Sequence, residues 1–283
     1  MAPDTIATLL KATGPIGKMA EDANRIVDTL HSSNPFDEKD TIKVMIGEPS
    51  QGHVDVIAHD NRKDMFFEMA RLERESKFRF FSGTTGRMMV TFARDTLADE
   101  AMKQGCDWVL FIDDDMIVPK KMFTALARHM DHADIIVPLC FQRVHPYKPV
   151  IYKTTLHDND GKPYFDNHHY LDYPPNSVFE VGTAGFGVAL VKMEVFRKMP
   201  TPWFFSNTSV GEDIYFCIRA KQLGFKILCD SRIKIGHLGV PPCITEWDYL
   251  KHNAKELVET RKEEIAAITE KPEGHEPIVR VED

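Results

Sequence analysis

The chain has 283 residues, 43% of them hydrophobic and 28% charged, which supplies a sizeable core and excludes an extensively disordered protein. Its formal charge of −8 argues against a general polyanion binder, which carries a basic excess. Five scattered cysteines (106, 140, 217, 229 and 243), never spaced Cys-x-x-Cys, fit neither a disulfide framework nor a zinc ribbon and predict free thiols in a reducing compartment.

Residues 5–31 place Ile6, Leu9, Leu10, Met19, Ile26 and Leu30 at helical spacing, broken by "TGPIG". They predict two short helices forming an N-terminal arm over residues 1–38. The opening "MAPDTIATLLKATG" lacks a basic start followed by a sustained apolar stretch, and no apolar run nears the roughly 20 residues of a membrane span. A cytoplasmic protein is expected.

From residue 41 the pattern alternates. "TIKVMIGEPS" predicts a strand ending at Gly47 and Pro49, and "VIAHDNRKDMFFEMARLERES" a helix. "KFRFFSGTTG" is a second strand, and "MVTFARDTLADEAMKQG" a helix stopped by Gly105. "DWVLFIDDD" is a third strand, "PKKMFTALARHM" a helix opened by Pro119, and "ADIIVPLCF" a fourth strand. Such alternation implies βαβ units around a largely parallel sheet, with ligands bound outside the carboxyl ends of the strands. "GEPSQG", "SGTTG" and "DDD" should therefore share one rim.

After residue 145 the rhythm gives way to a Tyr-, Pro-, Asn- and His-rich stretch, expected as short antiparallel strands and long loops. "GVALVKMEVFRKM" predicts strand then helix, and "GEDIYFCIRAKQLGFKILCD" loop, helix and strand. From about residue 254 a charged helix and a mobile end are expected.

Asp113, Asp114 and Asp115 carry the chemistry. On a strand, alternation would send Asp113 and Asp115 to one side, about 6–7 Å apart, with about 2–3 kcal/mol of mutual repulsion at an effective dielectric near 20. A hard divalent cation removes that repulsion, and oxygen ligation suits Mn2+ or Mg2+ bound together with substrate phosphates. The plainer alternative makes one aspartate the N-cap of the following helix, which explains one acid and not three.

"FIDDDM" preceded by "ARDTLADEAMKQGCDWV", then "GTAGFGVALVKMEVFRKM", "GEDIYFCIRAKQLGFKI" and "IGHLG", resembles the family 2-like glycosyltransferases of the GT-A fold. The resemblance spans roughly residues 41–240. It implies an α/β, Rossmann-like, mostly parallel sheet flanked by helices, with a small antiparallel acceptor-side portion. It also implies a nucleotide-diphosphate sugar donor whose phosphates are bridged by Mn2+ or Mg2+. By the same resemblance Asp115 is the principal metal ligand, with Asp113 sharing the metal and Asp113 or Asp114 touching the donor. His237 completes the metal shell. Asp213 is the general base and Glu212 contacts acceptor or sugar; in the plainer reading both merely favour a helix N-terminus.

Gly185, in "GTAGFG", would let backbone approach the ligand closely. Glu48 and Ser50 stand where the family cradles the nucleotide base with a Pro-Thr turn, a departure that leaves the base open. Arg94 would face base or phosphates, or lie on a solvated helix face. The aromatics from Tyr147 to Phe205 offer sugar-stacking surfaces or ordinary core packing, and His168-His169 reads as loop surface. The expected organisation is an arm (1–38), a glycosyltransferase core (39–240) and a C-terminal portion (241–283). The acceptor is a glycan or another hydroxyl-bearing molecule, a modified nucleic-acid base included. The rival readings are a nucleotidyltransferase, disfavoured because "GEPSQG" has no Lys or Arg, and a non-catalytic nucleotide- or carbohydrate-binding protein.

Overall fold

A computed structural model describes residues 40–50, 52, 55–159, 162–239 and 243–260. The expected N-terminal arm and the end of the C-terminal tail lie outside them. The chain runs β1 (Ile42–Glu48), α1 (Val56–Glu75), β2 (Phe78–Thr84), α2 (Val90–Lys103), β3 (Trp108–Ile112), β4 (Met116–Ile117), α3 (Met122–Ala127) and β5 (Ile135–Leu139). It continues through β6 (Ile151–Asn159), β7 (Lys162–His169), β8 (Val178–Glu180), β9 (Thr183–Ala184), β10 (Val188–Lys192) and α4 (Met193–Lys198). The remainder is α5 (Glu212–Gln222), β11 (Ile227–Lys234), β12 (Gly236–Leu238), β13 (Cys243–Ile244) and α6 (Glu246–Thr260).

Seven strands form the central sheet in the order β2-β1-β3-β10-β5-β11-β8. The pairs β1–β2, β1–β3 and β5–β11 are parallel, while β10 runs antiparallel to both its neighbours and β8 antiparallel to β11. The sheet is mostly parallel and flanked by helices, with two small three-stranded sheets, β13-β12-β4 and β7-β6-β9, beside it. The first four predicted elements stand where the sequence placed them, whereas β3 ends three residues short of the predicted strand and α3 starts three residues after Pro119; Gly105 ends its helix at a φ of 66°, a conformation glycine adopts without steric cost.

Every residue of β3 is buried, as a central strand covered on both faces requires. Val109 and Phe111 face the layer containing Leu97, Ala98, Phe196 and Phe216. Trp108, Leu110 and Ile112 face Met65, Met69, Met122 and Phe123. Ile244, Tyr249 and Leu250 also pack into the first of these layers. The Tyr-rich stretch forms the long β6–β7 hairpin, paired from Tyr152↔His169 to Asn159↔Lys162, rather than short strands and loops.

Register places the site. Pairing of Glu48 with Thr84 and of Gly47 with Phe111 brings the first two loops and the end of β3 to one edge. Antiparallel β10 sets Val188 beside Ile112, so the Gly-rich loop before it arrives at the same edge. There the Asp113 N–H donates to Gly187 O at 2.9 Å.

Candidate active site

The strand ends at Ile112, so the aspartate triplet does not alternate along it as expected. The three residues form a turn that leads into β4, and the Met116 N–H donates to Asp113 O at 3.2 Å. Nor does an aspartate cap the next helix, because the N-cap of α3 is Lys121, three residues later than the predicted start, with no side-chain cap bond.

Two arginines organise the turn. Arg94 on α2 is 2% exposed. Its Nη2 donates to Asp113 Oδ1 at 2.7 Å and to Phe186 O at 3.0 Å, and its Nη1 pairs with Glu212 Oε1. It therefore lies on no solvated face; it joins the aspartate turn to the acidic start of α5. Arg62 on α1, equally buried, donates to Glu48 Oε1 at 2.7 Å and to the backbone carbonyl of Asp113. Glu48 also accepts from Thr84 Oγ1 at 3.2 Å. Ser50 is buried, its N–H reaching Thr85 Oγ1 at 3.4 Å and its Oγ accepting from Gly52 N at 3.0 Å. Glu48 and Ser50 thus fix the shape of the first loop.

Burial pushes the Asp113 carboxyl up to about 6, with the Asp115 charge adding to it and Arg94 opposing. Asp115 behaves oppositely. Burial would raise it, yet the His237 hydrogen bond and the His237 and Arg143 charges hold it below the usual carboxylate range. Its Oδ2 lies 2.8 Å from Arg143 Nη1 and 3.3 Å from His237 Nε2. Asp114 is partly exposed.

His237 sits on β12, which reaches the aspartate turn because it pairs with β4, His237 opposite Met116. Its Nδ1 lies 2.8 Å from Phe141 O. A carbonyl only accepts, so Nδ1 carries a proton, and Nε2 of a neutral ring is a lone pair facing a carboxylate oxygen. That contact is favourable only with a second ring proton or with a cation held between the two groups. A backbone carbonyl on the far nitrogen is also how metal-binding histidines are oriented. Among the described residues no three Asp, Glu, His or Cys side chains are grouped to hold an ion unaided. Of the expected trio Asp113, Asp115 and His237, the last two meet, while Asp113 Oδ1 faces Arg94. One carboxylate oxygen and one imidazole nitrogen fit Mn2+ or Mg2+ that completes its shell with water and phosphate oxygens.

Asp213 follows Glu212 in the first turn of α5. Its Oδ1 accepts from the Ile214 N–H at 2.7 Å. Burial, then the Glu212 charge, pushes its carboxyl up to about 6 against the pull of Arg94. A Cβ on Gly185 would stand 3.4 Å from Asp213 Oδ2 and 3.1 Å from Val150, so the glycine keeps the space beside that oxygen open. Burial, then the Asp213 charge, pushes the nearby Tyr152 hydroxyl up to about 12, which leaves it a proton donor at neutral pH.

Arg62 and Arg143 reach the site without having been singled out by the sequence. Arg62 falls on one helical stripe with Ala58, Met65, Met69 and Leu72, all buried, and an arginine on an apolar stripe is a legible signal. Arg143 gave none. His169 is not loop surface: it ends β7, its Nδ1 2.8 Å from Pro149 O and its ring centroid 4.7 Å from that of Tyr152. Of the aromatics, Trp203, Phe204 and Tyr173 are core, whereas Phe205 is exposed.

Fold and site together define an α/β protein with an arginine-braced acidic cluster at the carboxyl edge of its sheet. No family model matches the chain, and none of the curated proteins does. Similar solved structures include A197 from STIV, 18% identical, covering 70% of this chain and 85% of that one, with a TM-score of 0.45. Another is GalNAc-T7 with UDP, GalNAc and Mn2+, 13% identical, covering 71% and 44%, TM-score 0.41. A third is UDP-glucose pyrophosphorylase complexed with UDP-glucose, 9% identical, covering 77% and 99%, TM-score 0.41. At these values the likeness is remote. No described helix is long and apolar enough to cross a membrane.

Proposed function

We propose that this protein is a metal-dependent glycosyltransferase that moves a sugar from a nucleotide-diphosphate sugar to an acceptor hydroxyl. The meeting of Asp115 Oδ2 with His237 Nε2 at 3.3 Å carries the reading, since a cation held between them makes that contact favourable without a second ring proton. Asp115 and His237 would hold Mn2+ or Mg2+, which supplies the positive charge that binds a diphosphate and stabilises it as leaving group.

The other side chains take distinct roles. Glu212, held by Arg94, has its charge spent on that ion pair. Asp213 carries no such ion pair, and burial raises its carboxyl to about 6, so it would remove the proton of the acceptor hydroxyl. A base in that position requires direct displacement with inversion at the anomeric carbon. The Arg62–Glu48 pair shapes the loop that receives the nucleoside, and residues 39–240 form the transfer unit.

Incubation with Mn2+ and a panel of nucleotide sugars tests this. Release of a nucleoside diphosphate, lost in Asp115→Ala, is expected. With pyrophosphate added, its consumption to give a nucleoside triphosphate and a sugar 1-phosphate would instead establish nucleotidyl transfer, and silence across the panel would favour a binding protein.

A further inference from the structure

Arg143 lies in the turn joining β5 to β6. That turn is closed by hydrogen bonds from Gln142 N–H to Lys148 O at 2.9 Å and from Tyr147 N–H to Val144 O at 2.8 Å. It is braced from α6, where Asn253 Nδ2 donates to Pro146 O at 2.6 Å and the His252 ring packs 5.1 Å from that of Tyr147. The backbone is therefore anchored, while the Arg143 side chain is 55% exposed and reaches over the aspartate turn. Its Nη1 meets Asp115 Oδ2, the same oxygen that faces His237 Nε2.

A guanidinium at 2.8 Å from Asp115 Oδ2 competes with a divalent ion that this oxygen would share with His237. The two positive centres would stand within a few ångströms of each other, with a single negative charge to reconcile them. We propose that Arg143 is a placeholder for the cation and a ligand of the diphosphate. It neutralises Asp115 until the ion arrives, then swings from that carboxylate to a phosphate oxygen. This rests on reading Asp115 and His237 as the cation site.

The chemistry favours such an exchange. The Arg143 side chain is half in solvent, so its departure from the pair costs little, and a planar guanidinium matches phosphate as well as it matches carboxylate. The anchored turn keeps the side chain within reach of both partners. Arg143 thereby couples metal and diphosphate: it lowers affinity for the ion alone and raises affinity for the ion together with its anion.

The test uses the full chain, with Mn2+ binding followed by electron paramagnetic resonance and inorganic pyrophosphate binding by calorimetry at saturating Mn2+. Arg143→Ala should bind Mn2+ alone about threefold tighter, the scale of an exposed ion pair removed. It should bind pyrophosphate about tenfold more weakly, the scale of a lost charge-assisted hydrogen bond. Arg143→Lys, which keeps the charge and loses the fork, should bind Mn2+ like the parent and pyrophosphate between the two. Unchanged or weaker Mn2+ binding in Arg143→Ala, or unchanged pyrophosphate binding, overturns the exchange. If the parent itself bound no Mn2+, the cation site would fall first, and the exchange with it.

Discussion

At the scale of single residues, the site turns on one arginine and one aspartate. Arg94 is buried between Asp113 and Glu212, and removing one partner from such a set leaves uncompensated charge in a poorly solvated place. Arg94→Met should lower stability by about 3–5 kcal/mol, read as a drop in urea midpoint. If the midpoint held, the clamp would be no clamp. Asp213 makes a sharper case. A base titrating near 6 gives a kcat/KM that climbs with pH to a plateau above that value. Asp213→Asn should cut transfer by about 10²–10⁴-fold while leaving Mn2+ and diphosphate binding intact. Full activity in that variant would mean that the acceptor proton leaves by another route. The roles of Asp213 and His237 were proposed through resemblance, whereas Arg62 betrayed itself only by standing on a buried stripe, and Arg143 by nothing. Its partner lies 28 positions away, and no local periodicity records a contact across that distance.

At the scale of elements, strands and helices to residue 139 were legible because each fills one predicted apolar period. The direction of β10 was not. "GVALVK" reads as a buried strand in either orientation, and only pairing with β3 and β5 decides it. The third strand was drawn three residues too long, to Asp115 rather than Ile112, enough to void an argument from strand alternation, since side chains change face at every step. The Gly-rich loop was legible as a close approach, but of what to what was not. A Cβ on Gly182 would lie 2.4 Å from Thr154 N and 2.5 Å from its Cβ, so this glycine admits the chain's own β6 rather than a ligand. Gly182→Ala must push β9 from β6, at a cost of about 1–3 kcal/mol for an overpacked site. Because β9 leads directly to Gly185, activity should fall with stability. A variant as stable as the parent would show that the hairpin yields freely.

At the scale of the whole molecule, the acidic cluster sets the dependence of stability on pH. Asp213 has its folded pKa raised to about 6 from an ordinary 3.8. The folded state therefore holds this proton more tightly than the unfolded chain does. Its contribution is complete below pH 4 and disappears as pH rises through 6, so at neutral pH folding carries the cost of an ionised, desolvated carboxylate. Asp115 has the opposite sign. Its depressed pKa stabilises the fold above the usual carboxylate range and loses that effect in acid. A bound ion and diphosphate would deepen that second contribution, since ligands of the native state stabilise it by mass action, about 2.7 kcal/mol at a hundredfold excess over Kd. Neutralising Asp213 should reveal the first contribution alone. Asp213→Asn keeps an oxygen to accept from the Ile214 N–H while shedding the charge, and should be more stable than the parent by about 2 kcal/mol at pH 7.5, discounted from a shift of about two units. The advantage should vanish at pH 4, where the parent carboxyl is itself protonated. Urea titrations at the two pH values decide it: an equal gain at both would trace to packing, and no gain at pH 7.5 would mean that solvent reaches the Asp213 carboxylate after all.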